Sequence, residues 1–560
     1  RSEIAPWFGH DSMNTAEPTS QRRGERRTWW RTFALLTLAG TAWMLATPLM
    51  TGPDEVFQAR RAAAVARGEL IGERSANSPI LVDVTVPNSY LVAGEYGYCF
   101  TGQPVAGAPV GNMPAPKATC PDFGGGAKPA SAQTGQYRGQ PFFYALVGLP
   151  TLVDSGMAGA YLMRLIGVVA TMALLASAFV SARRSQRPRL AWLALFGTVT
   201  PMTMYLSAST NPSAVEIAAA LGVWASGILL ARSDVEVTGR EVARFGVALI
   251  VLIGARGLGP IFAVLLVVLL AAAAGRTRIV QLARRRDLWA WAAGAGAMAV
   301  ASAAWLWTIQ RDFPLDERPG SGLATAIDYL PFYMRQTIGV FGQNDSALPA
   351  LAAWAWAATL MGIFAVGLWR CTPRWALVAV ATLTGGIAIS VTAEGFSLPP
   401  IGFFWQGRYA MPLLVGAYLL ATCSSPRSRA EADHTGVEAP TQAAPAPVRR
   451  GDLRSLLRQP ETSTAAVRAA LAVFLTVHAF GFLVVARHHG ARGGTPQSWW
   501  DLLVDPRWSP PLTFPVLLLV YLGALGAIAV SIGRLDAKPP PSETLGGGIN
   551  SHRDDHTVDA

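Results

Sequence analysis

The sequence predicts an all-α polytopic membrane protein of roughly twelve transmembrane helices with a large first extracytoplasmic loop. Three observations predict it. Of 560 residues, 51% are hydrophobic and only 14% charged, where a soluble chain of this size carries about a quarter. Apolar runs of roughly 16–22 residues recur along the chain, the length that crosses a ~30 Å hydrocarbon core. Arginines gather in short segments between those runs, which is the pattern of cytoplasmic loops. The net charge of +11 is thereby accounted for without a nucleic-acid partner.

Residues 1–32 are polar and Arg-rich and predict a disordered cytoplasmic tail that meets the interface at Trp29 and Trp30. Phe33–Met50 is the first span. A cleaved signal peptide is the rival reading, but no small-x-small site leads into a soluble domain and many spans follow. Residues 51–156 form the outer loop. In it, TGPDEVFQARRAAAVARGEL predicts a short amphipathic helix, and SPILVDVTVPNSYLV one or two short strands. The Gly/Pro/Ala-rich 102–136 predicts mostly loop, and QPFFYALVGLP a segment that re-enters or lies on the membrane.

The remaining spans are Met157–Val180, Leu190–Ser207, Ala214–Ala231, Phe245–Gly254, Leu258–Ala274, Leu288–Ile309, Leu348–Trp369, Ala376–Val391, Tyr409–Cys423, Ala465–Ala486 and Leu512–Ile532. Residues 310–346 form a second outer loop, amphipathic around 324–340. The transmembrane core then covers 33–423, a flexible cytoplasmic linker 424–464, two C-terminal helices 465–532 and a disordered tail 533–560. With both termini cytoplasmic, every short Arg-dense loop falls on one side. Cys99 and Cys120 lie in the outer loop on the oxidising side, where they form a disulfide or stay as two unpaired thiols; Cys371 and Cys423 lie at cytoplasmic ends.

The acids Asp54 and Glu55 open the only large outer loop, at a membrane edge. Acids in a helix first turn are ordinarily explained by the helix dipole, worth about 0.3–1 kcal/mol. Ionised groups at the end of a span lose hydration, which favours a ligand or a reaction here. Adjacent helical residues diverge by about 100°, so the two carboxylates cannot address one atom and a two-carboxylate glycosidase pair is disfavoured. Asp54, Gln58 and Arg61 follow i, i+4, i+7 spacing and share a face that could line one cleft. An ionised aspartate there can take a proton from an attacking hydroxyl.

Arg164, Arg256 and Arg408 sit at predicted outer ends of spans. A guanidinium costs a few kcal/mol near hydrocarbon unless it snorkels or is paired, and its fork matches a phosphate. The glycines of 254–259 are not in dinucleotide order, and no GxxxxGK[ST] occurs, so no nucleotide site is visible. His488 and His489 lack a metal-ligand partner at suitable spacing, His478 reads as a helix–helix contact, and the Trp pairs read as interfacial belts.

TPLMTGPDEVFQARRAAAVARGEL, followed in order by QPFFYALVGLP, SASTNPSAV, VFGQNDSALP and FWQGRYAMPLL, resembles the bacterial predicted-membrane-protein family called domain of unknown function 2142. The resemblance covers about residues 30–425. That family is similar to the GT-C class of integral membrane glycosyltransferases. The resemblance implies a multi-pass bacterial plasma-membrane enzyme, a polyprenyl-phosphate sugar as donor and a cell-envelope glycan or lipid as acceptor. Asp54 becomes the acceptor-activating base and Glu55 its companion. Arg408 becomes the candidate for the donor phosphate, with Gln58, Arg61, Arg164, Asn211, Arg256, Gln406 and Tyr409 as substrate-binding candidates. Two positions depart from the family pattern. Gln58 stands where a His is usual, leaving a divalent metal open, and Ser213 stands where an acid is expected after Asn-Pro. A transporter or flippase of lipid-linked sugars and a non-catalytic envelope scaffold are the other readings.

Overall fold

In the computed structural model, residues 19–312 (apart from 77, 79 and 101–122), 322–423 (apart from 402), 464–490 and 498–535 (apart from 505 and 507) are described. The expected linker, most of the C-terminal tail, and Cys120 lie outside these residues. Cys99 is disulfide-bonded, while Cys371 and Cys423 are free thiols.

The chain opens with α1 (Thr19–Ala46). This helix begins inside the stretch expected to be a disordered tail, because Gln, Arg and Glu are good helix formers and are held from the side. Arg244 bonds Glu25 at 2.8 Å, and Trp29 Nε1 donates to Ser177 Oγ at 3.0 Å. A small extramembrane layer follows: α2 (Glu55–Ala66), β1 (Glu73–Arg74), β2 (Val82–Pro87), α3 (Asn88–Tyr98), β3 (Pro129–Thr134) and α4 (Pro141–Gly148). The strands form an antiparallel sheet in the order β1-β2-β3, with Val84 opposite Ala132. Val82, Val84 and Val86 point to the buried side, as the two-residue strand period requires. The second half of the expected strand region is instead α3: Pro87 ends β2 and Asn88 starts a helix. The strand β3 arises in a region expected to be loop, since its PASAQT sequence has little strand propensity of its own and pairs with β2 throughout.

The membrane bundle comprises α5 (Met157–Arg183), α6 (Pro188–Thr198), α7 (Pro201–Ser207), α8 (Pro212–Ala231), α9 (Gly239–Ala255), α10 (Gly259–Ala274), α11 (Arg276–Ala283) and α12 (Arg286–Asp312). The second loop contains α13 (Leu323–Asp328), α14 (Leu330–Gly339) and the hairpin β4 (Val340–Phe341) and β5 (Ser346–Ala347). Then come α15 (Ala350–Arg370), α16 (Pro373–Ile401), α17 (Met411–Cys423), α18 (Thr464–Gly490), α19 (Trp499–Val504) and α20 (Phe514–Gly533).

Each of the roughly twelve apolar segments is helical. Among the described residues, seven single helices are long and apolar enough to cross a membrane. The number rises to nine if α6 with α7 (bent by 63°) and α10 with α11 (bent by 115°) each count as one. The other three segments fall short for identifiable reasons. The first half of α1 is polar, and α9 and α17, of 17 and 13 residues, reach only about 26 and 20 Å at 1.5 Å per residue.

Helix direction alternates, and this organises the two ends of the bundle. At one end the C-termini of α1, α9, α16 and α18 meet the N-termini of α5, α8 and α17 and the β4–β5 hairpin, as the bonds Arg164–Glu55, Asn211–Pro53, Arg256–Ser213, Glu394–Trp405 and His488–Asp345 record. At the opposite end arginines donate to carbonyls that helix termini leave free: Arg232 to Cys423, Arg278 to Leu230, Arg374 to Ala272 and Arg187 to Arg370.

Candidate active site

The site is built on the turn Thr51–Asp54 between α1 and α2. Gly52 is required there: a Cβ would lie 2.4 Å from Ser209 Cβ. Asp54 is the N-cap of α2 rather than a residue of its first turn. It adopts the left-handed conformation (φ 58°) and its side chain caps nothing. A non-glycine residue pays roughly 1–2 kcal/mol for that geometry, so the surroundings must hold it. Glu55 takes over the capping, accepting from Gly52 N at 2.9 Å.

The two carboxylates go separate ways. Glu55, 1% exposed, faces Arg164, which donates to it through Nε and Nη2, both at 2.6 Å. Thr210 N donates to it as well, at 2.9 Å, so its acceptor capacity is filled. Arg164 spends its other three N–H groups on the carbonyls of Met44, Thr47 and Pro48. The pair is a buried clasp joining α1, α2, α5 and the start of α8, and Arg164 has no N–H left for a ligand.

Asp54 instead faces outward from the clasp. Its Oδ2 accepts from Arg408 Nη2 at 2.9 Å; Asp54 is 29% exposed and Arg408 4%. The buried Nε of Arg408 has no hydrogen-bond partner. Arg408 lies in the turn 407–410 ahead of α17. Three contacts fix that turn. Gly407 N donates to Gln336 at 2.7 Å, Trp405 N donates to the buried Glu394 at 2.7 Å, and a Cβ on Gly407 would strike the Tyr333 carbonyl at 1.9 Å. Gln406 is half-buried at the start of the turn, and its carbonyl accepts from Tyr409 N.

Tyr409 links this pair to a second one. The Arg256 guanidinium lies 4.1 Å from the Tyr409 ring centre and that of Arg408 5.2 Å, within the range of cation–π attraction. Arg256 Nη1 donates to Ser213 Oγ at 3.1 Å and lies 3.4 Å from Glu216 Oε2. Glu216 is 1% exposed and its Oε1 has no hydrogen-bond partner. Glu216 lies three residues after Ser213, one helical turn along the same face, so Arg256 meets both side chains. Sequence reasoning missed Glu216, although an acid inside an otherwise apolar 20-residue helix is a signal in itself. Glu394, which holds the Arg408 turn, was missed as well.

The remaining candidates surround this centre. Gln58 accepts from the Tyr144 hydroxyl, whose pKa is pushed up by burial, so it stays a neutral donor. Arg61 is fully buried, donates to the Leu70 carbonyl and lies between the Tyr144 and Trp305 rings at 5.7 and 5.5 Å. Its Nε and Nη2 have no hydrogen-bond partners, and burial lowers its pKa to about 10. Asn211 caps α8 through Ser213 N and donates to the Pro53 carbonyl at 2.9 Å, tying α8 to the turn. From the second loop, Gln343 donates to the Gly52 carbonyl.

For a divalent metal the donor set does not fit. The charged neighbour of Asp54 is a guanidinium, the Gln58 oxygen serves Tyr144, and among the described residues no three His, Cys, Asp or Glu side chains converge.

Three separated segments (TNPS, FGQND and WQGRY) thus reach the TGPDE turn, and QPFFY meets Gln58 one helical turn farther along α2. The profile of the DUF2142 family, described as a predicted membrane protein, matches residues 36–417. The chain belongs to the DUF2142 family. The range matched by the DUF2142 family contains every side chain of the candidate site described above, whereas α18 and α20 lie beyond it. No curated protein matches the sequence. Among solved structures, the chain is similar to ArnT from Cupriavidus metallidurans bound to undecaprenyl phosphate, at 14% identity and a TM-score of 0.41. The apo state of that protein gives 15% and 0.39; each comparison covers 89% of this chain and 76% of the other.

Proposed function

We propose that this integral membrane protein is a GT-C-type glycosyltransferase that moves a sugar from a polyprenyl-phosphate donor to a cell-envelope glycan or lipid. The observation that carries the reading is the Asp54–Arg408 pair at 2.9 Å: a partly exposed carboxylate beside a buried guanidinium with an unused N–H, at the ends of membrane helices. In this reading the donor phosphate takes Arg408, a fork suited to phosphate oxygens, and frees Asp54. Asp54 accepts the proton of the acceptor hydroxyl as that oxygen attacks the anomeric carbon. The carbon–oxygen bond to phosphate breaks, and the lipid phosphate leaves with the electron pair, giving inversion. Arg256 adds positive charge beside the leaving group. Glu55 and Arg164 are positioning residues that hold the Asp54 turn. The face bearing Asp54 is extracytoplasmic, both termini are cytoplasmic, and the membrane is the bacterial plasma membrane.

A transporter of lipid-linked sugars is the rival. It calls for ionisable groups near mid-span, whereas Asp54, Arg256, Arg408 and Glu216 lie within about a turn of helix ends and Arg164 about two turns in. The test is transfer from radiolabelled polyprenyl-phosphate sugars to envelope extracts by the purified protein. Asp54→Asn should abolish product. Undiminished transfer by that variant, or scrambling of the lipid without product, would overturn the proposal.

A further inference from the structure

In the proposed reaction the donor phosphate takes Arg408 and frees Asp54, so the bond between them cannot keep their two turns at one separation. The turns are 354 residues apart in the chain, yet one short segment grips both: the C-terminal half of α14 with the β4–β5 turn, residues 333–345. At its first end Gln336, 4% exposed, accepts from Gly407 N at 2.7 Å. The Tyr333 carbonyl packs against the same glycine. At its second end Gln343 Nε2 donates to the Gly52 carbonyl at 3.2 Å. Beside it Gly342 N donates to the Tyr205 hydroxyl, which donates to the Thr51 carbonyl, each at 3.2 Å.

The bend between the two ends is braced from within. Gln336 Nε2 donates to Asn344 Oδ1 at 3.0 Å, so one buried amide serves the Arg408 turn with its oxygen and the hairpin with its nitrogen. The hairpin has a set shape: Gly342 and Asn344 adopt φ of 61° and 70°, and Asn is among the few non-glycine residues that visit this region readily. Phe341 packs against Trp43 and Tyr205, with ring centres 5.9 and 5.2 Å away. Covering the end of a bundle asks only for apolar contact. It does not ask two exposed amide side chains, Gln343 and Asn344, to complete a polar link from Gly52 to Gly407. We propose that residues 333–345 are a bracket that fixes the spacing of Asp54 and Arg408, with Gln336, Gln343 and Asn344 as positioning residues. The inference rests on the transferase reading, in which a shift of about 1 Å between such groups costs up to ~10²-fold in rate.

The test is Asn344→Gly in the full chain. Glycine keeps the left-handed backbone without penalty and removes only the oxygen that Gln336 reaches. Two measurements are made in detergent: hydrogen–deuterium exchange, and transfer from radiolabelled polyprenyl-phosphate sugars to envelope extracts. Exchange should quicken about tenfold in the segments 49–57 and 404–410, neither of which contains the changed residue, and stay as in wild type along α15. The maximal transfer rate should fall about tenfold or more, with the half-saturating donor concentration within about twofold, since Arg408 itself is kept. Asn344→Asp retains an oxygen for Gln336 and should restore both readouts. Unchanged exchange in either segment, or a wild-type maximal rate once both are loosened, would overturn the bracket. A rise in the half-saturating concentration alone would overturn it too, by placing Asn344 on the lipid. A wild-type protein that transfers no sugar would sink the transferase reading, and the exchange pattern alone would then decide whether the segment couples the two turns.

Discussion

Breaking the Glu55–Arg164 clasp should unfold this protein far more readily than touching Asp54 next to it. Glu55→Ala leaves a guanidinium with no exposure, stripped of two of its five hydrogen bonds and its counter-charge. Removing one partner of such a pair costs about 3–5 kcal/mol, a large part of a total stability of about 5–15 kcal/mol. Arg164→Met should cost a similar amount, because it strands a buried carboxylate and frees the carbonyls of Met44, Thr47 and Pro48. The double variant should cost less than the sum, with a coupling of about 2–3 kcal/mol, since the charge stranded by each single change is gone. The assay is unfolding of dodecyl-maltoside-solubilised protein by added SDS, read by fluorescence of the 18 tryptophans. Two single changes each costing under about 1 kcal/mol, or effects additive within about 0.5 kcal/mol, would refute the clasp.

Asp54→Asn should lower sugar transfer by at least about a hundredfold, the usual loss of a general base, while costing at most about 1.5–3 kcal/mol of stability, because Asn keeps an oxygen for the buried Arg408 guanidinium. The SDS midpoint and the transfer rate measured on one preparation check both. Asp54→Gly should be more stable than Asp54→Ala by about 1 kcal/mol, because only glycine accepts φ 58° without a penalty; the same titration reads it. Arg408→Lys should raise the half-saturating concentration of the lipid-phosphate donor more than it lowers the maximal rate, since charge remains but the fork is lost. Arg61→Met should be at least as stable as wild type, because it removes a buried charge with two unpartnered guanidinium nitrogens; a clear loss of stability would argue against that account.

The helices were legible because long apolar runs have few other uses; the expected divergence of Asp54 and Glu55 is observed, but it comes from the left-handed turn at Asp54 and not from a helical step between them. What sequence could not give was the partner of each acid. Arg164 and Arg408 look alike from their positions at span ends, and only the packing of α5 against α1 separates the clasp from the cleft. Gln58 and Arg61 do share the Asp54 side of α2, as their spacing predicts, but Tyr144 and Trp305, which meet them, come from distant segments. Glu216 is not found from the position directly after Asn-Pro, because its carboxylate sits one helical turn farther along α8. The extension of α1 to Thr19 and the strand β3 depend on contacts with other elements, which local propensity does not register.

The clasp makes a reactive side chain mechanically subordinate to a helix that offers it nothing chemical. Since α5 grips the last turn of α1 and the first residue of α2 through one guanidinium, a small tilt of that helix displaces the neighbouring carboxylate without altering any group in the cleft. Substitutions along the buried side of α5 should then mimic active-centre lesions, and a screen for inactive variants will trace a lever as well as a pocket.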